Sequence, residues 1–352
     1  MFKPNKTAVA GLICGLFVTS AALAQDISLS SDVSYSFAKD GASPDEYALF
    51  QNKNLEGNNY NLTISTQPTD KYWTRLIVAQ GQNITFSNIG TLSIEDHASR
   101  YSDGLIYAQN DNTLSLDKIG TLNVVSDEAL PIQAVGGKVE VNADTVSLTA
   151  YNGNAIMVQP NAGHEAAVAL NVSGDINIEA TDGSAILIGA LVDSSSTSLS
   201  LAGNNIFIVS KATSAENAQF GVVLYDEDET WNPGDPADAD LSLSIHANNL
   251  LEIDGAYAGV YLSRISNAFT DSKASFSSDG KISIHGDVCG LYLSSSDKEN
   301  SPAVEATVDA PVIDIASDNS SAVHLQYETS KLLLISTPST YEILMIVPLL
   351  LT

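Results

Sequence analysis

One phrase occurs twice in this chain, VSLTAYNGNAIMV at residues 146–158 and INIEATDGSAILI at residues 176–188. In each, two apolar residues alternate with polar ones (Val146 and Leu148; Ile176 and Ile178). An Asn-Gly or Asp-Gly pair follows, and a second alternating pair closes the phrase (Ile156 and Val158; Ile186 and Ile188). Period-2 alternation on either side of such a dipeptide reads as strand, tight turn, strand. The two starts lie 30 residues apart. That is too little for a domain and the right length for one unit of a repeat architecture.

The phrase continues in both directions. Leading strands start at Leu62, Leu92, Leu122, Val146, Ile176, Ile206, Leu251, Ile282 and Ile313, with gaps of 30, 30, 24, 30, 30, 45, 31 and 31 residues. A second strand follows each of them, as at 105–107, 156–158, 222–224 and 291–293. A small residue usually stands just before it, such as Gly104, Ala155, Gly221 or Gly290. A third short alternating piece precedes the next phrase, as at 84–86, 114–116, 170–172 and 199–201. Such a unit cannot bury its apolar face alone. Stacked coil on coil, strand on parallel strand about 4.8 Å apart, the inward Ile, Leu and Val of each turn meet their counterparts above and below.

The expected fold class is therefore all-β, a single-stranded parallel β-helix with three short strands per coil. Alternation leaves Ser147, Asn177, Ser283 and Asp314 on the wet face, whereas strands covered by helices would read as continuous apolar runs. No amphipathic helical stretch interrupts the repeats, which argues against βαβ folds. A β-sandwich is the structural alternative.

Four segments follow from this reading. Residues 1–24 have the form of a secretory signal peptide: Lys3 and Lys6, an apolar run over 8–18, then Ala22-Leu23-Ala24 before Gln25. The run falls short of the roughly 20 residues of a membrane-spanning helix. Residues 25–61 have weaker periodicity and read as an irregular N-terminal cap or first coil. Residues 62–336 form the β-helix, and residues 337–352 a divergent apolar tail. Loss of the leader would remove Cys14, leaving Cys289 as the sole cysteine and no intramolecular disulfide.

The chain carries 42 acidic and 15 basic residues, a net charge of −27. Nucleic acid, which needs a positive surface, is excluded as a partner. The 45-residue gap holds DEDETWNPGDPADAD, residues 226–240, with seven acidic residues around Trp231. This loop projects; it reads first as a solvated acidic loop closed by Pro233 and Pro236 and, in its functional reading, as a contact for a glycan, protein or divalent cation, while its spacing misses the calcium-loop pattern. Smaller insertions at 264–273 and 294–302 suggest one decorated edge.

Signals for catalysis, metal or cofactor are weak. No His-Glu-x-x-His, Gly-x-Ser-x-Gly, phosphate loop or Cys-x-x-Cys occurs. His97, His164, His246, His285 and His324 are scattered through different repeat phases. Abundant carboxylates such as Asp175, Glu179 and Asp182 do not single themselves out. Lys138, Lys211 and Arg264 are the central basic candidates for a polysaccharide-active groove. Cys289 precedes Gly290, in the small-residue slot, and reads as a packing residue. No catalytic, cofactor-binding or metal residue is assigned.

The leader, the coils LTAYNGNAIMV, IEATDGSAILI and IDIASDNSSAVHL, the Ser/Thr/Asn/Asp richness and the scarcity of cysteine resemble the passenger region of bacterial autotransporters, the type V secretion family. The likeness spans roughly residues 62–335. It implies a right-handed parallel β-helix displayed at the surface of a Gram-negative cell, and an adhesin-like role toward a host or bacterial glycan or protein. It supplies no catalytic residue. The expected linker helix and outer-membrane barrel are missing: after KLLLI the text turns to STPSTYEILMIVPLLLT, whose apolar stretch at 343–351 is too short to span a bilayer. A truncated passenger is the favoured reading, against a secreted β-helix capped by its own tail. The function expected is a non-catalytic, exported adhesin-like scaffold at the cell surface, in the periplasm or outside the cell. The alternative is a polysaccharide lyase or glycoside hydrolase.

Overall fold

The computed structural model describes residues 26–37, 48–66, 75–97, 104–161, 163–189, 196–213, 219–225, 240–262, 271–294, 304–326, 330–336 and 343–344. Residues 1–25, Trp231 with loop residues 226–239, Arg264 and most of residues 337–352 lie outside them. Among the described residues the chain is all-β, with no helix. Its strands stack in parallel into a β-solenoid of two sheets, one of seventeen strands and one of ten.

The repeated phrase produces this stack through register. Val33, Leu62, Leu92, Leu122, Val146, Ile176, Ile206, Leu251, Ile282 and Ile313 pair in succession along one ladder. The second strands form another ladder, Phe50, Ile77, Ile106, Ile132, Ile156, Ile186, Val222, Val260, Leu291 and Val323. A third joins Ile84, Leu114, Val139, Val168, Leu199, Leu243, Ala274, Ala306 and Leu332. Inward positions such as Leu148, Ile156 and Ile206 are fully buried in one continuous core. At about 1.5–3 kcal/mol for each large apolar side chain taken from water, this core outweighs any polar contact on the wall.

The structure refines the sequence reading in four respects. First, the segment before Leu62, expected as an irregular cap or first coil, contains Val33–Phe37 in register with Leu62–Thr66, and Ile27–Ser28 in register with Leu55–Glu56. Second, the third strand of one coil often runs into the leading strand of the next as a single bent strand, as in Ile84–Asp96, Thr113–Ser126 and Asp240–Gly255. The bend is taken up by positive φ at Asn88 and Lys118 and by register shifts at Val141/Ala143 and Gly203/Asn205. Third, the Asn-Gly and Asp-Gly pairs turn corners between sheets instead of closing hairpins, since Ala150 belongs to the larger sheet and Ile156 to the smaller. Gly183 lies so close on the coil before that a Cβ there would stand 2.1 Å from the carbonyl oxygen of Gly153. Fourth, the polar-outside rule holds over most of the larger sheet, with exceptions such as Phe207 and Val209, but not on the smaller. There the row off the core runs Tyr107, Gln133, Met157, Leu187, Val223, Tyr261, Tyr292, His324, of which Tyr107, Gln133 and Val223 are themselves buried.

In that row Tyr261 and Tyr292 stack with centroids 4.4 Å apart and planes at 9°, and Tyr292 and His324 stack at 5.0 Å and 6°. Parallel strands in register force like positions onto one another at the strand spacing, which is also a stacking distance. The ring faces are therefore spent on each other.

At the far end the ladder Ser330–Ile335 is met by Ile343–Leu344, which pairs antiparallel with Leu333 and Leu334. Inward residues of the last coil, Ile313, Ile315, Val323 and Leu325, are only partly buried. No helix among the described residues is long and apolar enough to cross a membrane.

Candidate functional site

The polar side chains of the walls bind mainly to the coil above or below. The recurrent element is a side-chain oxygen that accepts a backbone N–H one coil on. Asp32 accepts from Asn61, Asn54 from Thr85, Asn83 from Thr113, Asn154 from Ser184, and Asp182 from Thr213, at 2.7–2.9 Å. At the corners the parallel ladder lapses and leaves N–H donors that must be satisfied, so Asp and Asn are placed there by backbone needs. Inside one corner a carboxylate serves hydroxyls of the neighbouring coils instead. Asp96, fully buried, accepts from the Thr66 hydroxyl at 2.6 Å and from the Ser126 hydroxyl at 3.5 Å.

The residues weighed as candidates from sequence are spread over the molecule. Glu179 pairs with Lys211 at 2.6 Å, Asp175 accepts from the Asn205 amide at 2.8 Å, and Lys138 stands 4.0 Å from Glu165. Asp182 also accepts the Thr213 hydroxyl, and these bonds hold its carboxyl below the usual range. Cys289 is buried, and desolvation pushes its thiol up and away from thiolate chemistry. His97 touches Asp127 at 3.2 Å, His164 touches Asp111 at 2.6 Å, and His246 contacts the Ser277 hydroxyl at 2.9 Å. His285 sits between two carboxylates on adjacent coils, Asp254 at 2.9 Å and Asp318 at 3.3 Å, whose hydrogen bonds raise its pKa despite partial burial. Among the described residues no three His, Cys, Asp or Glu groups stand close enough to hold a metal.

What sequence reasoning missed is a groove of about 530 Å³ on the corner between third and leading strands. Its origin can be read along one row. The residues preceding the paired Thr91, Thr121 and Thr145 are Gly90, Gly120 and Asp144, and Gly90 donates its N–H to the Tyr60 carbonyl. Two successive coils thus lack a side chain where Tyr60 stands before them and Asp144 after. A Cβ on Gly120 would come within 2.4 Å of the Gly90 oxygen, so neither coil can fill the recess without moving apart. Buried Ile89 and Ile119 line the groove with these glycines, and the polar lining comes from Asn59, Asn88, Lys118, Asn142, Asp144, Asn171 and Ser173. Tyr60 is exposed, at 38%.

Lys118 is the anomaly of this groove. Its φ is 55°, like 53° at Asn88 and 64° at Asn59 on the two coils before. Asn tolerates this left-handed region, whereas an ordinary L side chain there costs about 1–2 kcal/mol. Lys138, Lys211, Lys281 and Lys331 all pair with carboxylates of neighbouring coils. Among the described residues Lys118 makes no such pair, although its charge helps the bonds from Asn88, Ser87 and the Asn58 N–H to lower the pKa of Glu56. Around it the amides are partly committed: Asn88 donates to Glu56 at 3.1 Å, Asn142 to Asp117 at 3.3 Å, and Asn171 to Asn142 at 3.3 Å.

The strand ends that flank the three long insertions lie on a different edge. Residues 226–239, 263–270 and 295–303 all run from the end of a second strand (Phe220–Tyr225, Ala258–Leu262, Cys289–Ser294) to the start of a third. Their flanking strands place the ends of all three on one corner. Compared with family models, with curated proteins and with solved structures, the chain gives no match.

Proposed function

We propose that the protein is a non-catalytic, exported contact scaffold of the adhesin type, in keeping with the resemblance to autotransporter passengers. A rigid stack of coils supplies reach, and its corners carry the contacts. The observation that carries this reading is how the carboxylates are used. Many of those on the walls serve as acceptors for a neighbouring coil, as Asp32, Asp175 and Asp182 do, and among the described residues Glu56 and Asp182 are held further toward the ionised form by their hydrogen bonds. A glycosidase acid needs the opposite, a carboxyl raised toward neutrality.

One observation favours a second reading, a polysaccharide-active enzyme: the corner groove brings a cation, Lys118, and a carboxylate, Asp144, to one surface. Incubation of the full chain with neutral and acidic polysaccharides, followed by reducing-end release and ultraviolet absorbance of unsaturated uronates, separates the two. Binding to glycan arrays or cell surfaces without turnover is the expected result. Turnover that disappears in Asp144→Asn would replace the scaffold reading. Deletion of 227–239 tests the acidic loop, which should carry part of the adhesion.

A further inference from the structure

We infer that the corner groove centred on Lys118 is a binding site for an extended, uncharged glycan lying along the solenoid axis. The inference rests on the contact-scaffold reading and gives it a place and a ligand class. The recess crosses successive coils, so its amides recur at the strand spacing of about 4.8 Å. A linear chain of pyranose rings repeats on a similar scale, allowing one sugar to meet one coil. The chemistry offered is mixed. Amide groups donate to and accept from hydroxyls, the Asp144 carboxylate accepts only and Lys118 donates only, while Tyr60, outside the groove lining but exposed in the same row one coil before Gly90, offers a ring beside it for the apolar face of a sugar.

Charge selects among glycans. The chain carries a net −27, and Glu56, Asp117 and Asp144 stand around the same corner, so a polyanion would be repelled over most of its length. One unpaired lysine offsets little of that but can direct a hydrogen bond. The conformation of Lys118 points the same way. The two preceding coils meet the left-handed backbone with asparagine, which fits it at lower cost. A lysine kept there at the expense of stability is the pattern of a residue held for contact.

The test uses the full chain and three variants, Lys118→Asn, Tyr60→Ala and deletion of 227–239. Titration calorimetry is run against neutral hexasaccharides (cellohexaose, laminarihexaose, xylohexaose, chitohexaose) and against hexagalacturonate and a heparin hexasaccharide. Thermal melts confirm folding; both point changes are at exposed positions. The expected result is binding of at least one neutral hexasaccharide, weakened about tenfold or more by Lys118→Asn and by Tyr60→Ala, the loss of one hydrogen bond or ring contact, and unaffected by the loop deletion. Binding unchanged in both point variants overturns the groove and leaves the scaffold reading standing, with the loop deletion showing whether contact lies there. Binding of acidic oligosaccharides alone, or of none, also overturns it. Cleavage of a hexasaccharide during titration would sink the scaffold reading while leaving the groove as the site.

Discussion

At the scale of single residues, the two faces of a strand differ by far more than their chemistry suggests. Ile178 is buried with its neighbours Leu148 and Ile208 above and below, whereas Asn177 beside it is exposed. Ile178→Asp should cost several kcal/mol, because a carboxylate would be left unpaired in an apolar core. Asn177→Asp should stay within about 0.5 kcal/mol. Chemical denaturation of both variants checks this, and equal tolerance would mean that the inward face is misassigned. Lys118→Asn should be stabilising, by about 1 kcal/mol, since it replaces a strained lysine by the residue that the preceding coil uses at the same φ. A lower melting temperature for that variant would show that the lysine stem packs usefully where it is.

At the scale of the element, strength comes from contacts passed from coil to coil. The clearest titratable case is His285, held between Asp254 and Asp318 so that one imidazolium braces three successive coils. Its pKa is raised above the ordinary 6.5, chiefly by the Asp254 hydrogen bond. The stabilisation is thus present in full below about pH 6.5 and is lost as pH rises through the raised folded value. The side chain is 34% exposed, and screening limits the effect to about 0.5–1 kcal/mol. The melting temperature of the native chain should therefore exceed that of His285→Gln at about pH 6, with the gap closing by about pH 9. A gap that widens with pH would reverse the assigned role.

At the scale of the whole molecule, the chain carries 42 acidic and 15 basic residues, and those among the described residues stand on a stack of coils with no thick interior to separate them. Mutual repulsion should outweigh the few exposed ion pairs, each worth at most about 1 kcal/mol. Raising salt from about 20 to about 200 mM should accordingly raise the midpoint of thermal unfolding. A midpoint that falls with salt would mean that ion pairs such as Lys211–Glu179 govern stability. The same geometry explains the two ends of the solenoid: the last coil has no full neighbour among the described residues, and its inward side chains are correspondingly less buried than those of the middle coils.

The fold was legible in the sequence because a stacked coil writes its core as a local pattern. Val146, Ile176 and Ile206 announce one ladder by spacing alone, since each need only match the residue one turn away. The corner groove was not legible. Gly90 and Gly120 look like ordinary turn glycines, and Lys118 like any exposed lysine, until register puts the glycines on top of one another and φ shows what the lysine's position demands. The apolar outer row of the smaller sheet was likewise hidden, because runs such as ILI or LYL do not say which residue faces out. Sequence fixes which residues alternate. Only the stacked structure decides which of them lie side by side across thirty residues of chain, since that depends on how each coil turns its corners, and the surfaces available for binding are made at those corners.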